Sequence, residues 1–208
     1  MVFFTADTHA FHSNIIKYCS RPFVTANMMT EVMAEKINEK VGSNDLLYHL
    51  GDFSWGGPGL IRQFRSMINC KNVFLVYGNH DKVLRKNRAL SKELFVSCDD
   101  IKVIQPTKKT KIVLCHYSMR VWPSKHHGAL HLYGHSHGTI DNTDMSIDVG
   151  VDTNEFFPYS LDDVMEKLMI VKLKMSGDVY RVKLEHKRCE QEKSIGGVGC
   201  HCIIESSM

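Results

Sequence analysis

Residues 73–81 read VFLVYGNHD, an apolar run that gives way to a glycine and three polar residues. Short runs rich in β-branched and aromatic residues are typical of buried strands. In open α/β sheets, the loops just past the carboxyl ends of the strands gather the residues of the active site. The stretch therefore predicts a buried strand that ends in a functional loop.

The same arrangement recurs along the chain. Apolar runs over 2–6, 46–50, 111–115 and 129–133 each lead to aspartate or histidine, two residue types that commonly bind metal ions. We expect these residues to gather at one site, because all of them follow strands in the same way. They are Asp7, His9, Asp52, His116, His135 and His137.

The remaining pattern indicates an α/β protein, with strands and helices alternating early and strands crowding together later. Residues 176–178 read SGD, which is typical of a hairpin turn between two short apolar runs. The other predicted elements are helices over 13–19 and 26–41, a helix ending near residue 68, a strand over 146–149, a helix over 160–169, and hairpin strands over 170–175 and 179–185.

Composition bounds the class of protein. A chain of 208 residues with 43% hydrophobic and 24% charged residues is ordinary for one globular domain, which we place at 1–187. Residues 188–208 lack hydrophobic periodicity and are expected to form a loose tail, although they carry Cys189, Cys200 and Cys202.

A net charge of +3 is too small to indicate a nucleic-acid or membrane partner. Seven scattered cysteines favour reduced thiols and a cytoplasmic protein.

The candidate ligands have spacings that suit a metal site. Asp7 and His9 are two residues apart, so in an extended chain their side chains point to the same side and can share one ion. His135 and His137 repeat that spacing. With Asn79, the set offers carboxylate, imidazole and amide donors but no thiolate. Such a set fits Mn, Fe, Zn or Ni better than a structural zinc site.

These residues belong to five motifs, which are D-x-H at 7–9, G-D at 51–52, G-N-H-D at 78–81, a lone histidine at 116 and G-H-x-H at 134–137. The motifs, taken in this order, resemble those of the calcineurin-like metallophosphoesterases, in particular a small, single-domain bacterial and phage-type branch. The resemblance covers about residues 1–170. Phe11 departs from it, because glycine is common at that position in the branch. The resemblance implies an α/β fold, a four-layer α/β/β/α sandwich of two mixed sheets flanked by helices.

The resemblance also implies a site with two divalent ions, for which Mn²⁺ is favoured and Fe, Zn or Ni are alternatives. Asp52 would bridge the two ions, which lowers the cost of placing two cations close together. The first ion would be held by Asp7, His9, Asp52 and His137. The second would be held by Asp52, Asn79, His116 and His135.

Further roles follow from the resemblance. A metal-bridging hydroxide would attack phosphorus, and His80 would assist the leaving group. Asp81 would hold the His80 imidazole in its tautomer. Arg120 lies four residues after His116 and would either grip a phosphoryl oxygen or form a surface salt bridge. Trp122 would either stack on an aromatic group of the substrate or pack in the core.

The function we predict is hydrolysis of small phosphodiesters or monoesters by a dinuclear metal-dependent phosphoesterase. The partner is then a small phosphate ester, and the sequence leaves the oligomeric state open. A nuclease acting on DNA or RNA is the first alternative, and the modest charge and the lack of a basic stripe stand against it. A non-catalytic metal-binding scaffold is the second alternative. The complete ligand set and the presence of His80 stand against that one.

Overall fold

The computed structural model describes residues 1–176 and contains two β-sheets with associated helices. The strands within this range are β1 (Val2–Thr5), β2 (Leu46–His49), β3 (Asn72–Val76), β4 (Ser97–Asp99), β5 (Ile101–Ile104), β6 (Ile112–Cys115), β7 (Leu130–Tyr133), β8 (Ser146–Asp148) and β9 (Tyr159–Ser160). The α-helices are α1 (Ser13–Tyr18), α2 (Ala26–Lys40), α3 (Pro58–Met67), α4 (Lys82–Lys86), α5 (Arg88–Leu94) and α6 (Leu161–Met175).

Each sheet is mixed in the same way. The first has the strand order β4-β3-β2-β1-β9, and its strands are parallel except for β9, which runs antiparallel to β1. The second has the order β5-β6-β7-β8, and here β5 is the antiparallel edge strand. The predicted α/β fold with two mixed sheets and flanking helices is confirmed.

The core lies on both faces of the first sheet, because successive strand residues point to opposite faces. Phe4 and Tyr48 point towards the second sheet and meet Ile112, Leu114 and Leu132 there. Their neighbours along the strands point the other way and pack against α2 and α3. These contacts are made by Phe3, Leu47, Val73 and Leu75 of the sheet with Met29, Met33, Ile37, Ile61 and Phe64 of the helices.

The strand register brings the loops that follow the parallel strands to one edge. Phe3 pairs with Leu47, and Leu47 pairs with Val73, so β1, β2 and β3 end at the same level. Ala6 forms a bridge with Gly150, which ties the loop after β1 to the loop after β8 in the second sheet. The carboxyl ends of the parallel strands in both sheets therefore meet around one site.

Most of the predicted elements are present. The strands expected over 2–6, 46–50, 73–77, 111–115, 129–133 and 146–149 correspond to β1, β2, β3, β6, β7 and β8. The first three predicted helices correspond to α1, α2 and α3. The elements that sequence patterns did not indicate are α4, α5, β4, β5 and β9, which are too short to show a clear period.

The predicted hairpin strand over 170–175 is wrong, because these residues continue α6 to Met175. Ser160 caps this helix and forms a capping box with Asp163, which stabilises its first turn. Leu, Lys and Met are good helix formers, so a helix started at Ser160 extends through the alternating apolar residues. The second predicted hairpin strand, over 179–185, lies outside the described residues, as does the tail over 188–208.

Two further observations concern the helices and the cysteines. Across residues 1–176, every helix is too short or too polar to cross a membrane. The four cysteines in this range form no disulfide with one another. They are Cys19, Cys70, Cys98 and Cys115.

Candidate metal centre

The loops after the parallel strands bring the predicted ligands into two groups. In the first group, one donor atom from each of Asp7, His9 and His137 lies within 4.8 Å of the others. In the second group, donors of Asp52, His116 and His135 satisfy the same limit. Each group thus draws on both sheets.

Asp52 lies between the two groups. Its Oδ2 is 3.4 Å from His9 Nε2 and 3.5 Å from His116 Nε2. Its Oδ1 accepts a hydrogen bond of 2.8 Å from the backbone N–H of His80, which fixes the orientation of the carboxylate. Burial acts to raise the pKa of Asp52, but His116 and His9 hold it well below its usual range. Asp52 is therefore an ionised carboxylate with one oxygen facing both groups.

Asn79 joins the second group through its side-chain oxygen, which lies 3.0 Å from His116 Nε2. His116 Nδ1 is 2.7 Å from the carbonyl of Leu50, to which it donates a hydrogen bond. Nε2 of the same ring faces the side-chain oxygens of Asn79 and Asp52. A ring nitrogen and two oxygens that converge in this way can share a cation or a proton.

The first group contains buried ligand atoms that have no hydrogen-bond partner. Within residues 1–176, neither Asp7 Oδ1 nor His9 Nε2 has a hydrogen-bond partner, although both are buried. Burial raises the pKa of Asp7 to about 7 and lowers the pKa of His9 to about 2. Buried polar groups are nearly always paired, and a buried carboxylate without a counter-charge is costly. A divalent cation would satisfy both atoms, so the donor set fits a metal ion.

The backbone at most of the ligands is strained. Non-glycine residues rarely adopt the left-handed region, and where they do, the strain is typical of functional sites. Here the tertiary structure imposes this conformation so that ligands on short loops turn towards one centre. The φ angles are 59° at Asp7, 46° at His9, 56° at Asp52, 67° at His135 and 47° at His137.

Phe11 adopts the same left-handed region, with a φ of 63°. This explains why glycine suits the position, since glycine adopts positive φ at little cost. In this chain the backbone N–H of Phe11 donates a 2.8 Å hydrogen bond to Thr30 Oγ1, and the ring packs against the core. The loop thus keeps its conformation with phenylalanine in place.

Two glycines allow the loops to approach each other closely. A Cβ at Gly78 would lie 2.2 Å from Asp52 Oδ1, and one at Gly134 would lie 2.6 Å from Asp7 Oδ2. Real Cβ atoms do not approach oxygen this closely, so any other residue would displace the carboxylates. These glycines therefore allow the loops to contact the ligand carboxylates closely.

The predicted contact of Asp81 with the His80 imidazole is wrong. Both oxygens of Asp81 are occupied by backbone N–H groups, at 2.8 Å from Asp52, 3.0 Å from Phe53 and 2.8 Å from Gly78. Asp81 is buried, and it joins the loops after β2 and β3. It thus positions the backbone of Asp52 and does not orient the ring of His80.

Asp148 supports the G-H-x-H motif as Asp81 supports the G-D and G-N-H-D motifs. Its carboxylate accepts hydrogen bonds from the hydroxyl of Ser136 and from the backbone N–H groups of Gly138 and Gly150. These contacts hold the loop that carries His135 and His137. Sequence reasoning missed this role, although Asp148 ends a predicted strand like the other candidates.

A buried ion pair supports His137. Its Nδ1 donates a 2.7 Å hydrogen bond to Asp152, and the guanidinium of Arg21 donates to both oxygens of Asp152, also at 2.7 Å. Burial acts to lower the pKa of His137 and to raise the pKa of Asp152. The contact with Asp152 nevertheless raises the pKa of His137 to about 10. In turn, His137 and Arg21 lower the pKa of Asp152 to about 2. Nε2 of His137 is left as its ligand atom.

Arg21 also binds the loop after β1 directly. Its guanidinium donates to the backbone carbonyls of Asp7, at 2.7 Å, and Thr8, at 3.1 Å. Sequence reasoning missed both Arg21 and Asp152. They are 131 residues apart, so no local pattern links them.

His80 lies at the edge of the site and is surrounded by aromatic rings. The centroid of its ring is 5.2 Å from that of His9, 5.9 Å from that of His12 and 5.4 Å from that of Trp55. Its imidazole is therefore adjacent to the first ligand group. It is held there by ring packing.

Two residues that follow His116, Tyr117 and Arg120, have exposed side chains. Tyr117 is 46% exposed, and its ring lies edge-on to those of His116 and His135. Arg120 is exposed, and in the part of the chain that the structure describes its guanidinium forms neither a hydrogen bond nor an ion pair. A role for Arg120 in gripping phosphate stays a prediction.

Trp122 is buried, at 5% exposure, in a small cluster with Val113 and Ala129. Its indole N–H donates a 2.7 Å hydrogen bond to the carbonyl of Ala129. The alternative of a stacking surface for substrate is therefore wrong for Trp122, and the alternative of core packing is confirmed.

We predict that Asp152→Asn weakens Mn²⁺ binding about ten- to a hundredfold, because residues that orient a ligating histidine usually contribute this much. Titration calorimetry on the metal-free protein measures the effect. Asp162→Asn is the matched control, since Asp162 is exposed at the start of α6. Equal affinities for Asp152→Asn and the wild type would contradict the role of Asp152.

Comparisons with known proteins agree with this geometry. Residues 1–164 match the family described as calcineurin-like phosphoesterase. The uncharacterized protein MJ1445 of Methanocaldococcus jannaschii is 30% identical over 189 residues, which cover 86% of this chain and 94% of that protein.

A solved structure shares the fold. It is the crystal structure of the protein of unknown function AQ665 from Aquifex aeolicus, with a TM-score of 0.61 and 24% identity, covering 80% of this chain and 98% of that one. The family match and the curated relative together cover most of the sequence. The chain belongs to the calcineurin-like phosphoesterase family, whose members are metal-dependent hydrolases of phosphoesters.

Proposed function

We propose that this protein hydrolyses small phosphate esters with two adjacent divalent ions, most readily Mn²⁺. The observation that carries the proposal is the position of Asp52 Oδ2, between His9 of one ligand group and His116 of the other. A carboxylate shared between two ligand groups suits a site with two cations, whereas a site with one cation would not need it.

The residues divide between two ions as follows. Asp7, His9 and His137 would hold the first, Asn79, His116 and His135 would hold the second, and Asp52 would be shared by both. Carboxylate, imidazole and amide oxygen are hard or borderline donors, so they suit Mn²⁺. When bound, the ions supply an activated water and neutralise charge on the phosphoryl group.

His80 is assigned as the proton donor to the leaving oxygen. The backbone N–H of His80 donates a hydrogen bond to Asp52. The position of His80 relative to the two ligand groups is therefore set by the residue that would be shared by both ions. Its ring lies beside His9 at the edge of the ligand groups, where a leaving group would depart towards solvent. Asp81 supports this assignment indirectly, because it holds the backbone of Asp52.

A non-catalytic scaffold has little to support it. Such a protein would bind metal through Asp7 and His9 in the same way, but it would not need His80 at the edge of the site. A nuclease differs from our proposal only in substrate, so it becomes an outcome of the substrate test below.

We predict that exhaustive chelation abolishes phosphoesterase activity and that Mn²⁺ restores it more effectively than Mg²⁺. Mg²⁺ prefers oxygen ligands and keeps several waters, whereas four histidines are among the proposed ligands. The measurement is turnover of bis-para-nitrophenyl phosphate before and after reconstitution, with metal content determined in parallel. Full turnover by protein shown to be free of metal would disprove the proposal.

We predict that His80→Ala retains its bound metal but loses about two to four orders of magnitude in kcat, the usual contribution of a positioned acid. The loss should be smaller for esters with acidic leaving groups, because these need little protonation. His127→Ala is the control, since His127 is an exposed histidine in the short 3₁₀ helix Lys125–His127. If His80→Ala releases an ion, His80 is a ligand and its assigned role is wrong.

We predict that small diesters are hydrolysed with higher kcat/KM than the corresponding monoesters. A diester presents one negative charge to the ions, whereas a monoester dianion and its phosphate product present more and bind too tightly. The test compares bis-para-nitrophenyl phosphate, para-nitrophenyl phosphate and single-stranded DNA at saturating Mn²⁺. A preference for the monoester would contradict the diester claim, and a preference for DNA would favour a nuclease.

A further inference from the structure

Trp55 exposes a large aromatic ring beside the candidate centre. It follows Asp52 by three residues, and it is 44% exposed. The centroid of its indole is 5.4 Å from that of His80, with the two planes tilted by 49°. A flat apolar surface thus lies next to the residue to which we assign protonation of the leaving group.

His12 supports the indole from one side. The two rings are stacked, with 4.1 Å between centroids and an angle of 7° between planes. His12 is only 7% exposed, so its ring is itself held in the protein, and burial lowers its pKa. Since one face of the indole is covered by His12, its exposed area consists of the opposite face and the edge.

The backbone of Trp55 is anchored to the loop that carries the first ligands. Its N–H donates a 2.8 Å hydrogen bond to the carbonyl of Ala10, and the preceding Ser54 forms a bridge with Ala10. Beyond Trp55, a Cβ at Gly57 or Gly59 would meet no atom within 4 Å. The backbone of Trp55 is therefore fixed relative to the loop that carries the first ligands, and the space beside Gly57 and Gly59 is open.

We propose that Trp55 is a stacking surface for a planar aromatic group on the leaving side of the substrate, so that preferred esters carry an aryl group or a nucleobase there. The inference rests on the proposed function for the position of the phosphoryl group. Tryptophan offers a large apolar face, and stacking between an aromatic side chain and a base is tolerant of base identity. The role suggested for Trp122 from sequence thus belongs to Trp55.

Binding of non-hydrolysable ligands tests the proposal without turnover. The probes are phenylphosphonate, the phosphonate analogue of adenosine 5′-monophosphate, and methylphosphonate, each titrated into the Mn²⁺-loaded protein by calorimetry. We expect Trp55→Ala to lower the affinity for the two aromatic probes about tenfold, a typical loss for one stacked ring. Methylphosphonate should bind both proteins equally. Trp55→Phe, which keeps a ring, should retain most of the affinity.

Two controls sharpen the result. Tyr18→Ala removes an aromatic ring that is 75% exposed on α1 and should leave all three affinities unchanged. The chain contains two tryptophans, and the other one is buried, so quenching of wild-type fluorescence by the aromatic probes should disappear in Trp55→Phe.

The inference is overturned if Trp55→Ala leaves the affinity for the aromatic probes unchanged. It is also overturned if the variant lowers the affinity for methylphosphonate to the same extent. Stronger binding of the adenosine probe would identify a nucleobase as the preferred group, and equal binding would identify any aryl group. Both results support a stacking surface. A protein that binds these probes through Trp55 but hydrolyses no ester would refute the proposed function alone.

Discussion

The carboxylate of Asp52 has one oxygen tied to the backbone of His80 and the other turned towards His9 and His116. Because His116 follows a strand of the second sheet, this one side chain joins the two sheets at their shared edge. Its own backbone N–H is held by Asp81, which also binds the loop after β3. A small movement of Asp52 would therefore separate the two ligand groups and shift His80. The geometry of the whole centre depends on that single position.

Buried acids outside the ligand set hold the loops in place. Asp81 and Asp148 accept three hydrogen bonds each, and Asp152 binds both His137 and Arg21. Hydrogen bonds to charged groups contribute about 1.5–3 kcal/mol each, more than neutral ones. These contacts offset the strain of ligands held at positive φ and the cost of burying the carboxyl group of Asp7. These acids thus hold the ligand loops around the positions that cations would occupy.

Sequence patterns predicted the strands and the candidate ligands because both have local signals, namely apolar runs and the polar residues directly after them. They did not predict the supporting contacts, which depend on tertiary structure. Arg21 and Asp152 are far apart in the chain, and Asp81 lies next to His80 but turns to the backbone of another loop. The two tryptophans show the same limit, since only the folded loops decide that Trp122 is buried and Trp55 exposed. The alternation over 170–175 resembled a strand, but the helix that Ser160 caps continues through it.

The central claim is that Asp52 is shared by two ions, and metal content measures it most directly. Wild-type protein loaded with Mn²⁺ and freed of excess metal should contain two ions per chain by elemental mass spectrometry. Asp52→Asn should lose affinity at both positions together, whereas Asp162→Asn should keep two ions. Circular dichroism of Asp52→Asn establishes that the loss is not due to unfolding. One ion in the wild type, or two tightly bound ions in folded Asp52→Asn, would contradict the account.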